Sequence, residues 1–389
     1  MASLTLQPRA RFFHGHVWVY GTEIKARGGD PQPGDVVTLK DVRGRPLGSA
    51  IYNPQSQITA RLFSYRRQDL DLDFFTRRIE RAVKLRQDAG IDPQLARIIW
   101  SECDGMPGVV IDRYGDHLVV QTLTLAMDQR RDLIAQALRN VFSPVSITER
   151  NEAPVRRAEG MELRKGSLFG EAPAAFDVRY QNLLFSADLL EGQKTGLYLD
   201  QLDNYAAVAR HAQGRRVLDC FTNQGGFAQA CALAGAASVT AVDVSENAIA
   251  TARSNAQKVG ASVEWIAANA FDFLKQSEAR EERYDLIILD PPSFTKTKSN
   301  VKDAMRGYKE IHLRALKMLQ PGGILATFSC SHHVSTGEFH KVIVEAAVDA
   351  RKVLRQTSTF SQRADHPIIA TLPETEYLRG YAFEVLAGW

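Results

Sequence analysis

The spacing of apolar and polar positions changes along the chain, and each change predicts a different architecture. Residues 1 to about 69 carry short β patterns, V-W-V-Y at Val17–Tyr20, D-V-V-T-L at Asp35–Leu39 and I-T-A-R-L-F at Ile58–Phe63, broken by turn signals such as R-G-R at Arg43–Arg45. Such runs predict a small β-barrel. From Asp71 to Arg86 the spacing becomes helical, with Phe74, Phe75, Ile79, Val83 and Leu85 supplying the apolar side of an arginine-rich helix. Strand patterns follow in R-I-I-W at Arg97–Trp100, G-V-V-I-D-R-Y at Gly108–Tyr114 and H-L-V-V-Q-T-L at His117–Leu123, with a turn at Asp104–Gly108. A helix at Gln129–Asn140 and a strand at Ser146–Thr148 complete an α+β unit. Beyond Gln181 the pattern alternates between β and α for about 200 residues, which predicts a doubly wound sheet with ligands beyond the carboxyl ends of its strands. The expected division is 1–69, 70–180 and 181–389.

The last unit is organised around Arg216–Asp243, R-V-L-D-C-F-T-N-Q-G-G-F-A-Q-A-C-A-L-A-G-A-A-S-V-T-A-V-D. An apolar run beginning at Val217 stops at Asp219, Gly225-Gly226 turns the chain into a small-residue helix at Phe227–Ala234, and a second strand at Ser238–Val242 leads to Asp243. That acid stands 18 residues beyond Gly225, about where a nucleotide-binding fold places the group that grips ribose hydroxyls. The spacing G-x-G-x-x-G is absent and no lysine follows the glycines, so the ligand is not held by its phosphates. The arrangement resembles the S-adenosyl-L-methionine (SAM) site of class I methyltransferases, in which the glycines let the cofactor approach the backbone. A plain α/β unit with a glycine helix start would read the same way from this stretch alone. Five further strands are expected at Ser262–Ile266, Tyr284–Leu289, Gly323–Phe328, Lys352–Thr357 and Tyr381–Leu386, giving a seven-stranded, mostly parallel sheet. The glycine-rich, polar segment L-E-G-Q-K-T-G-L-Y-L-D-Q, Leu190–Gln201, reads as a functional loop.

Composition narrows the class. At 389 residues the chain is long enough for two or three domains; charged residues are 24% and hydrophobic residues 44%. No apolar run reaches membrane-span length and Met1–Ala10 has no signal-peptide pattern, so a cytoplasmic location with no membrane partner is expected. Four scattered cysteines, Cys103, Cys220, Cys231 and Cys330, without C-x-x-C spacing, suit neither a disulfide framework nor a zinc site, and no metal is expected. Net charge is only +3, but basic residues cluster. Arg61–Arg86 holds eight against four acids, and Phe294–Met318 seven against two, as a protein touching a phosphate backbone at several points would show. Solvated helix faces give the same pattern. Arg150, Arg156, Arg157, Arg164 and Lys165 are expected either to contact RNA or to solvate the edge of the middle unit.

Two strand ends carry the candidate chemistry. Y-D-L-I-I-L runs into Asp290-Pro291-Pro292-Ser293-Phe294, and G-I-L-A-T-F runs into Ser329-Cys330-Ser331-His332-His333. If these strands are parallel neighbours, about 4.8 Å apart, Asp290 and Cys330 share one rim. A D-P-P loop resembles that of methyltransferases acting on planar bases, but does not name the methylated atom. A cysteine does, because carbon-5 of cytosine becomes nucleophilic only after a thiolate adds at carbon-6. The alternative is a small buried hydrophobe, the reading that fits Cys103, Cys220 and Cys231. His332, two residues on, is the local candidate for taking the thiol proton.

The order G-H-V-W-V-Y at Gly15–Tyr20, P-G-D-V-V at Pro33–Val37 and S-A-I-Y-N-P at Ser49–Pro54 resembles the PUA domain of RNA-modifying enzymes, which binds structured RNA. With D-G-M-P-G-V-V-I-D-R-Y at Asp104–Tyr114, G-Q-K-T-G-L-Y-L-D-Q, D-C-F-T-N-Q-G-G-F, D-P-P-S-F, R-G-Y-K-E at Arg306–Glu310 and S-C-S, the whole chain resembles the class I SAM-dependent ribosomal RNA large subunit methyltransferase I family. That resemblance implies a Rossmann-like methyltransferase domain preceded by a small PUA β-barrel and an α+β middle domain, SAM as cofactor, and 5-methylcytosine formation in 23S rRNA or a large-subunit precursor. It also implies that Gln193, Lys194, Thr195, Gly196, Tyr198 and Asp200 help form the cofactor pocket and that Asn269 sits by the adenine. Asp219, Phe221, Thr222, Gly225, Gly226, Phe227, Asp243, Val244, Ala270, Asp290 and Pro291 complete the cofactor-binding set, and Cys330 and Asp290 are the catalytic pair. A homodimer is admitted as an assembly.

Three positions depart from the family pattern. Leu202 stands where an arginine is common, Asn269 where an acid is frequent, and Ser293 where other RNA cytosine methyltransferases carry a second cysteine that assists product release. Base amino-group methylation and an inactive RNA-binding module remain the competing readings.

Overall fold

The computed structural model describes residues 2–192, 195–295 and 300–387. The chain forms two compact units: Met1–Phe176 with Ala187–Leu199 and Ala364–Thr375, and Asp177–Ser186 with Asp200–Arg363 and Glu376–Trp389. Among the described residues no helix is long and apolar enough to cross a membrane.

The first unit opens with β1 (Ser3–Leu6), β2 (Trp18–Val19), β3 (Ile24–Gly28), β4 (Val36–Lys40), β5 (Pro46–Tyr52) and β6 (Ala60–Ser64), in the sheet order β2-β6-β5-β4-β1-β3. Neighbours are antiparallel except β1 and β4, and Leu4, Leu6, Leu39 and Tyr52 are buried in its core. Helix α1 (Leu72–Asp88) starts where the Asp71 carboxylate accepts the Phe74 N–H, and Asp73 adds a negative charge to its first turn. A second sheet, order β11-β10-β9-β8-β7, comprises β7 (Leu95–Trp100), β8 (Val109–Tyr114), β9 (His117–Thr122), β10 (Ser146–Asn151) and β11 (Arg164–Phe169). Helices α2 (Leu125–Asp128), α3 (Arg131–Phe142) and α4 (Val155–Ala158) connect these strands. Phe74, Phe75 and Ile79 pack with Ile98, Ile111, Ile134 and Leu138.

Several expectations change here. Leu85 is 49% exposed, and its neighbour Arg86 takes the inward position instead, held by a bidentate pair with Asp104 at 2.5 and 2.8 Å. Arg150 and Arg156 do not solvate an edge: both are buried, Arg156 against Asp128 at 2.9 Å and Arg150 against Glu152 and the Leu189 and Gly192 carbonyls. Arg164 and Lys165 are paired with Asp128, Glu149 and Glu191. The helix expected at Gln129–Asn140 is shifted to Arg131–Phe142 by the short turn of α2 before it.

In the second unit a two-stranded sheet of β12 (Phe176–Tyr180) and β13 (Leu183–Ala187) precedes α5 (Leu202–Ala209). The alternating region then gives β14 (Arg216–Cys220), α6 (Gly226–Leu233), β15 (Ser238–Asp243), α7 (Glu246–Val259), β16 (Glu264–Ala267), α8 (Ala270–Ala279) and β17 (Tyr284–Leu289). After these come α9 (Val301–Met318), β18 (Leu319–Ser329), α10 (Thr336–Asp349), β19 (Leu354–Ser361) and β20 (Arg379–Val385). Seven strands form one sheet in the order β16-β15-β14-β17-β18-β20-β19, parallel except for β20, which inserts antiparallel between β18 and β19. The order reverses between β14 and β17. A crevice at such a reversal is where doubly wound sheets hold their ligands.

Candidate active site

The loop after β14 is shaped by backbone conformation. Phe221, Asn223 and Gly225 all take positive φ (65°, 49° and 76°), folding the chain back so that Thr222 N–H reaches the Val242 carbonyl at 3.0 Å. Both glycines have a packing reason. A Cβ on Gly225 would lie 2.4 Å from the Trp265 ring, and one on Gly226 2.3 Å from the Tyr205 ring. Phe227, buried beside Gly226, meets the Tyr205 ring edge-on at 4.8 Å. The side chains of Gln224 and Gln229 exchange hydrogen bonds with the backbone of Ser186 and Leu184, tying this turn to β13.

Three carboxylates end three neighbouring strands. Asp219 is fully buried; its Oδ2 accepts from Thr222 Oγ1 at 2.5 Å and from Ala228 N at 3.1 Å, while its buried Oδ1 has no hydrogen-bond partner among the described residues. Burial first, then the Asp290 and Asp243 charges, push its carboxyl up to about 7 against the pull of those two hydrogen bonds. Asp243 closes β15, accepting from Asn223 N and Ser245 N at 2.9 Å each. Val244 beside it is 72% exposed, an apolar surface fit for a planar ring. Asn269 is exposed and spends its amide oxygen capping α8 through the Phe271 N–H, with buried Ala270 between them. An unpartnered buried carboxylate oxygen amid further acids calls for a cation. The ammonium and sulfonium of SAM meet that demand, and the ribose hydroxyls suit Asp243, so the residues present fit the cofactor.

The rim expected from the sequence is formed. Strands β17 and β18 are parallel neighbours, with Leu289 opposite Thr327, and Asp290 and Cys330 follow their ends. Asp290 Oδ2 accepts from Gln201 Nε2 at 2.9 Å, and Gln201 is itself held by Asn204 at 2.7 Å. Pro291 behind it is buried. Cys330 is half-buried, whereas Cys220 and Cys231 lie in the core, where burial pushes both thiols well up. Cys103 is also half-buried, but burial and the neighbouring Asp104 and Glu102 raise it to about 12. The serines flanking Cys330 are anchored: the Tyr308 hydroxyl lies 2.9 Å from Ser329 Oγ and 3.0 Å from Ser331 Oγ, and Ser331 Oγ lies 3.1 Å from Ser293 Oγ. Exposed His332 lies over the Tyr377 ring at 5.8 Å. Partial desolvation of the ring, then the Arg379 and His333 charges, lower its imidazole below the usual value. Tyr377 in turn donates to buried Asp200 at 2.6 Å.

Gln201, Tyr308 and Tyr377 are absent from the residues expected at the site. Gln201 and Tyr308 carried a signal, since they lie within the motifs D-Q and R-G-Y-K-E; Tyr377 carried none. Gln193 and Lys194 lie outside the described residues. Thr195, Gly196 and Tyr198 belong to the first unit. There the Thr195 hydroxyl donates to Asp112 and lies 3.2 Å from the Tyr114 hydroxyl, while Arg97 grips Asp112 with two bonds of 2.7 Å. Gly196 takes φ +142°, with the Tyr114 ring 3.3 Å from where a Cβ would sit. Two separate motifs, D-R-Y and K-T-G, therefore meet. Leu202 is 1% exposed, so this chain buries an apolar side chain where an arginine is common in the family.

A seven-stranded sheet of this order, with a glycine turn and an acid at the ends of neighbouring β15, β14 and β17, defines a Rossmann-like class I methyltransferase. The family of S-adenosylmethionine-dependent methyltransferases matches residues 162–367, and that of PUA-like domains residues 4–65. The ribosomal RNA large subunit methyltransferase I of Erwinia tasmaniensis is 38% identical over 378 residues, covering 95% of this chain and 96% of that protein. A solved Streptococcus mutans structure, described as a SAM-dependent methyltransferase, superposes with a TM-score of 0.83 at 21% identity over 99% of this chain and 100% of its own. A second solved structure, described as a methyltransferase complexed with SAH, gives 0.85 at 22% identity over the same shares. The chain belongs to the ribosomal RNA large subunit methyltransferase I family of SAM-dependent methyltransferases.

Proposed function

We propose that this protein methylates carbon-5 of a cytosine in 23S rRNA with Cys330 as the nucleophile. The observation that carries this reading is the place of Cys330: a half-buried thiol between two anchored serines, just past a strand end and on the same rim as Asp290. The Erwinia relative's name supports rRNA of the large subunit as substrate, which implies a cytoplasmic location. Asp219 and Asp243, with Val244 and Asn269 on the adenine side, would hold SAM, which when bound would supply an electrophilic methyl group.

The chain's own residues do the rest. The Cys330 thiol gives up its proton, for which His332 is the nearest base in sequence, and the thiolate adds to carbon-6 of the ring. The electron pair of the C5–C6 double bond moves to carbon-5, which becomes the nucleophile. Once carbon-5 is methylated, its proton passes to a water molecule, and the C–H electron pair re-forms the C5–C6 double bond and expels the Cys330 thiolate. Asp290, steadied by Gln201, faces the N3 and amine edge, where stabilising a protonated N3 makes carbon-6 more electrophilic.

Bisulfite and mass-spectrometric mapping of rRNA from cells with and without the gene tests the product. The expected difference is one missing 5-methylcytosine in 23S rRNA. Loss of an amino-methylated base, with every 5-methylcytosine retained, overturns the reading and assigns the D-P-P loop to amino-group transfer.

A further inference from the structure

The basic run Arg61–Arg86 does not survive folding as a uniform charged face. Arg61 is buried against Glu102, Arg86 against Asp104, Arg77 pairs with Asp73, Lys84 pairs with Asp88, and Arg78 donates to the Phe63 carbonyl. Arg66 and Arg67 remain exposed and, like Lys40 on β4, form no ion pair among the described residues. All three line a single concavity of about 440 Å³ in the first unit. Its volume falls within the roughly 300–1,000 Å³ of small-ligand pockets.

The concavity is built rather than incidental. Gly48 forms part of its wall at φ +150°, where a Cβ would lie 2.4 Å from the Ser64 carbonyl, so only glycine lets this wall pack so closely on the segment leading to Tyr65. The segment bearing the arginines is pinned by Ser49, buried on β5, which donates to the Arg66 carbonyl at 3.2 Å and accepts from Gln68 N at 3.0 Å. Tyr65, also in the lining, is 70% exposed, and the tilted ring of Phe12 stands 6.5 Å behind it. The nearby Asp41 carboxylate is committed to Arg45 at 2.7 Å and to the backbone N–H groups of Arg43 and Arg45, so it does not neutralise the patch.

Unpaired cations around a nucleotide-sized hollow, with an exposed aromatic ring at its edge, match the two needs of single-stranded nucleic acid: phosphate neutralisation and a stacking platform. We propose that this concavity takes an unpaired nucleotide of the RNA substrate, with its base on Tyr65 and the adjoining phosphates on Lys40, Arg66 and Arg67. The proposal rests on the RNA reading under Proposed function and adds to it the place where a single-stranded segment docks.

Fluorescence polarisation of the full-length protein with a labelled single-stranded RNA, repeated across a salt series, tests it. Arg66→Ala with Arg67→Ala should weaken binding and reduce the slope of log K against log salt by about 1.4, roughly 0.7 for each phosphate no longer neutralised. Tyr65→Ala should weaken binding by about tenfold with the slope unchanged, and Tyr65→Phe should restore it, because stacking needs the ring and not the hydroxyl. SAM affinity should not move in any of these variants, and a thermal melt matching the wild type's shows that each is folded. Variants that bind with wild-type affinity and slope, while the wild type methylates RNA, overturn the pocket alone. A wild-type protein that shows no salt-dependent RNA binding overturns the pocket and the RNA substrate together.

Discussion

With Asp219 facing SAM as proposed, cofactor binding is coupled to pH. The Asp219 carboxyl is raised to about 7 in the folded protein from an ordinary value of 3.8, chiefly by burial. A raised acid favours the folded state below its unfolded value, and this contribution is lost as pH climbs from about 4 through 7. A cationic ligand requires the opposite form, because only the carboxylate can face an ammonium. SAM affinity should therefore rise with pH to about 7 and then level off. Asp219→Asn should bind more weakly with a flat profile, and its melting temperature should fall less than the wild type's over the same pH span. Titration calorimetry at several pH values checks the first outcome; an equal pH dependence in the variant would remove Asp219 from the cofactor site. The position of this acid was legible in the sequence, because an apolar run that ends in Asp before Gly-Gly marks a strand end. Its unpartnered oxygen was not, since that depends on where Thr222 and Ala228 fall in space.

At the scale of elements, periodicity located α1 but misplaced its inner face. Apolar spacing assigns Leu85 inward, yet the buried position belongs to Arg86, whose guanidinium also donates to the Arg97 and Asp365 carbonyls. A buried ion pair leaves no apolar trace in a sequence, and the same blindness affected Arg150 and Arg156. Arg86→Ala should destabilise the first unit by about 3–5 kcal/mol, because it strands the Asp104 charge in the interior. Leu85→Ala, at a half-exposed position, should cost less than about 1 kcal/mol. Urea unfolding of the two variants separates these outcomes, and equal losses would return Leu85 to the core. The strands fared better because Leu286–Leu289 of β17 and Ile324–Phe328 of β18 are nearly continuous apolar runs, the signature of strands buried on both faces. The antiparallel insertion of β20 between β18 and β19 was not readable, as nothing in strand spacing reports which neighbour a late strand selects.

At the scale of the whole molecule, the chain returns to its first unit late. Residues Ala364–Thr375 belong there, fixed by Asp365, whose carboxylate accepts from Arg97 N at 2.9 Å, and by the Pro367 carbonyl, which accepts from Cys103 at 3.1 Å. Such long-range links have no local pattern, so a division by composition alone cannot find them. The motifs behaved differently. D-R-Y met K-T-G in the first unit, and D-P-P-S-F, R-G-Y-K-E and S-C-S met in the second, through Ser293, Tyr308 and the serines beside Cys330. A nucleophilic role for that thiol is the central claim, and RNA carrying 5-fluorocytosine tests it most directly, because fluorine blocks the deprotonation that releases the enzyme. With SAM present, the wild-type protein should be trapped as a covalent RNA adduct that survives denaturing electrophoresis, while Cys330→Ala should form no adduct, transfer no methyl group and still bind SAM. Methylation by the Cys330→Ala protein, or an active wild type that leaves no adduct, would contradict the account.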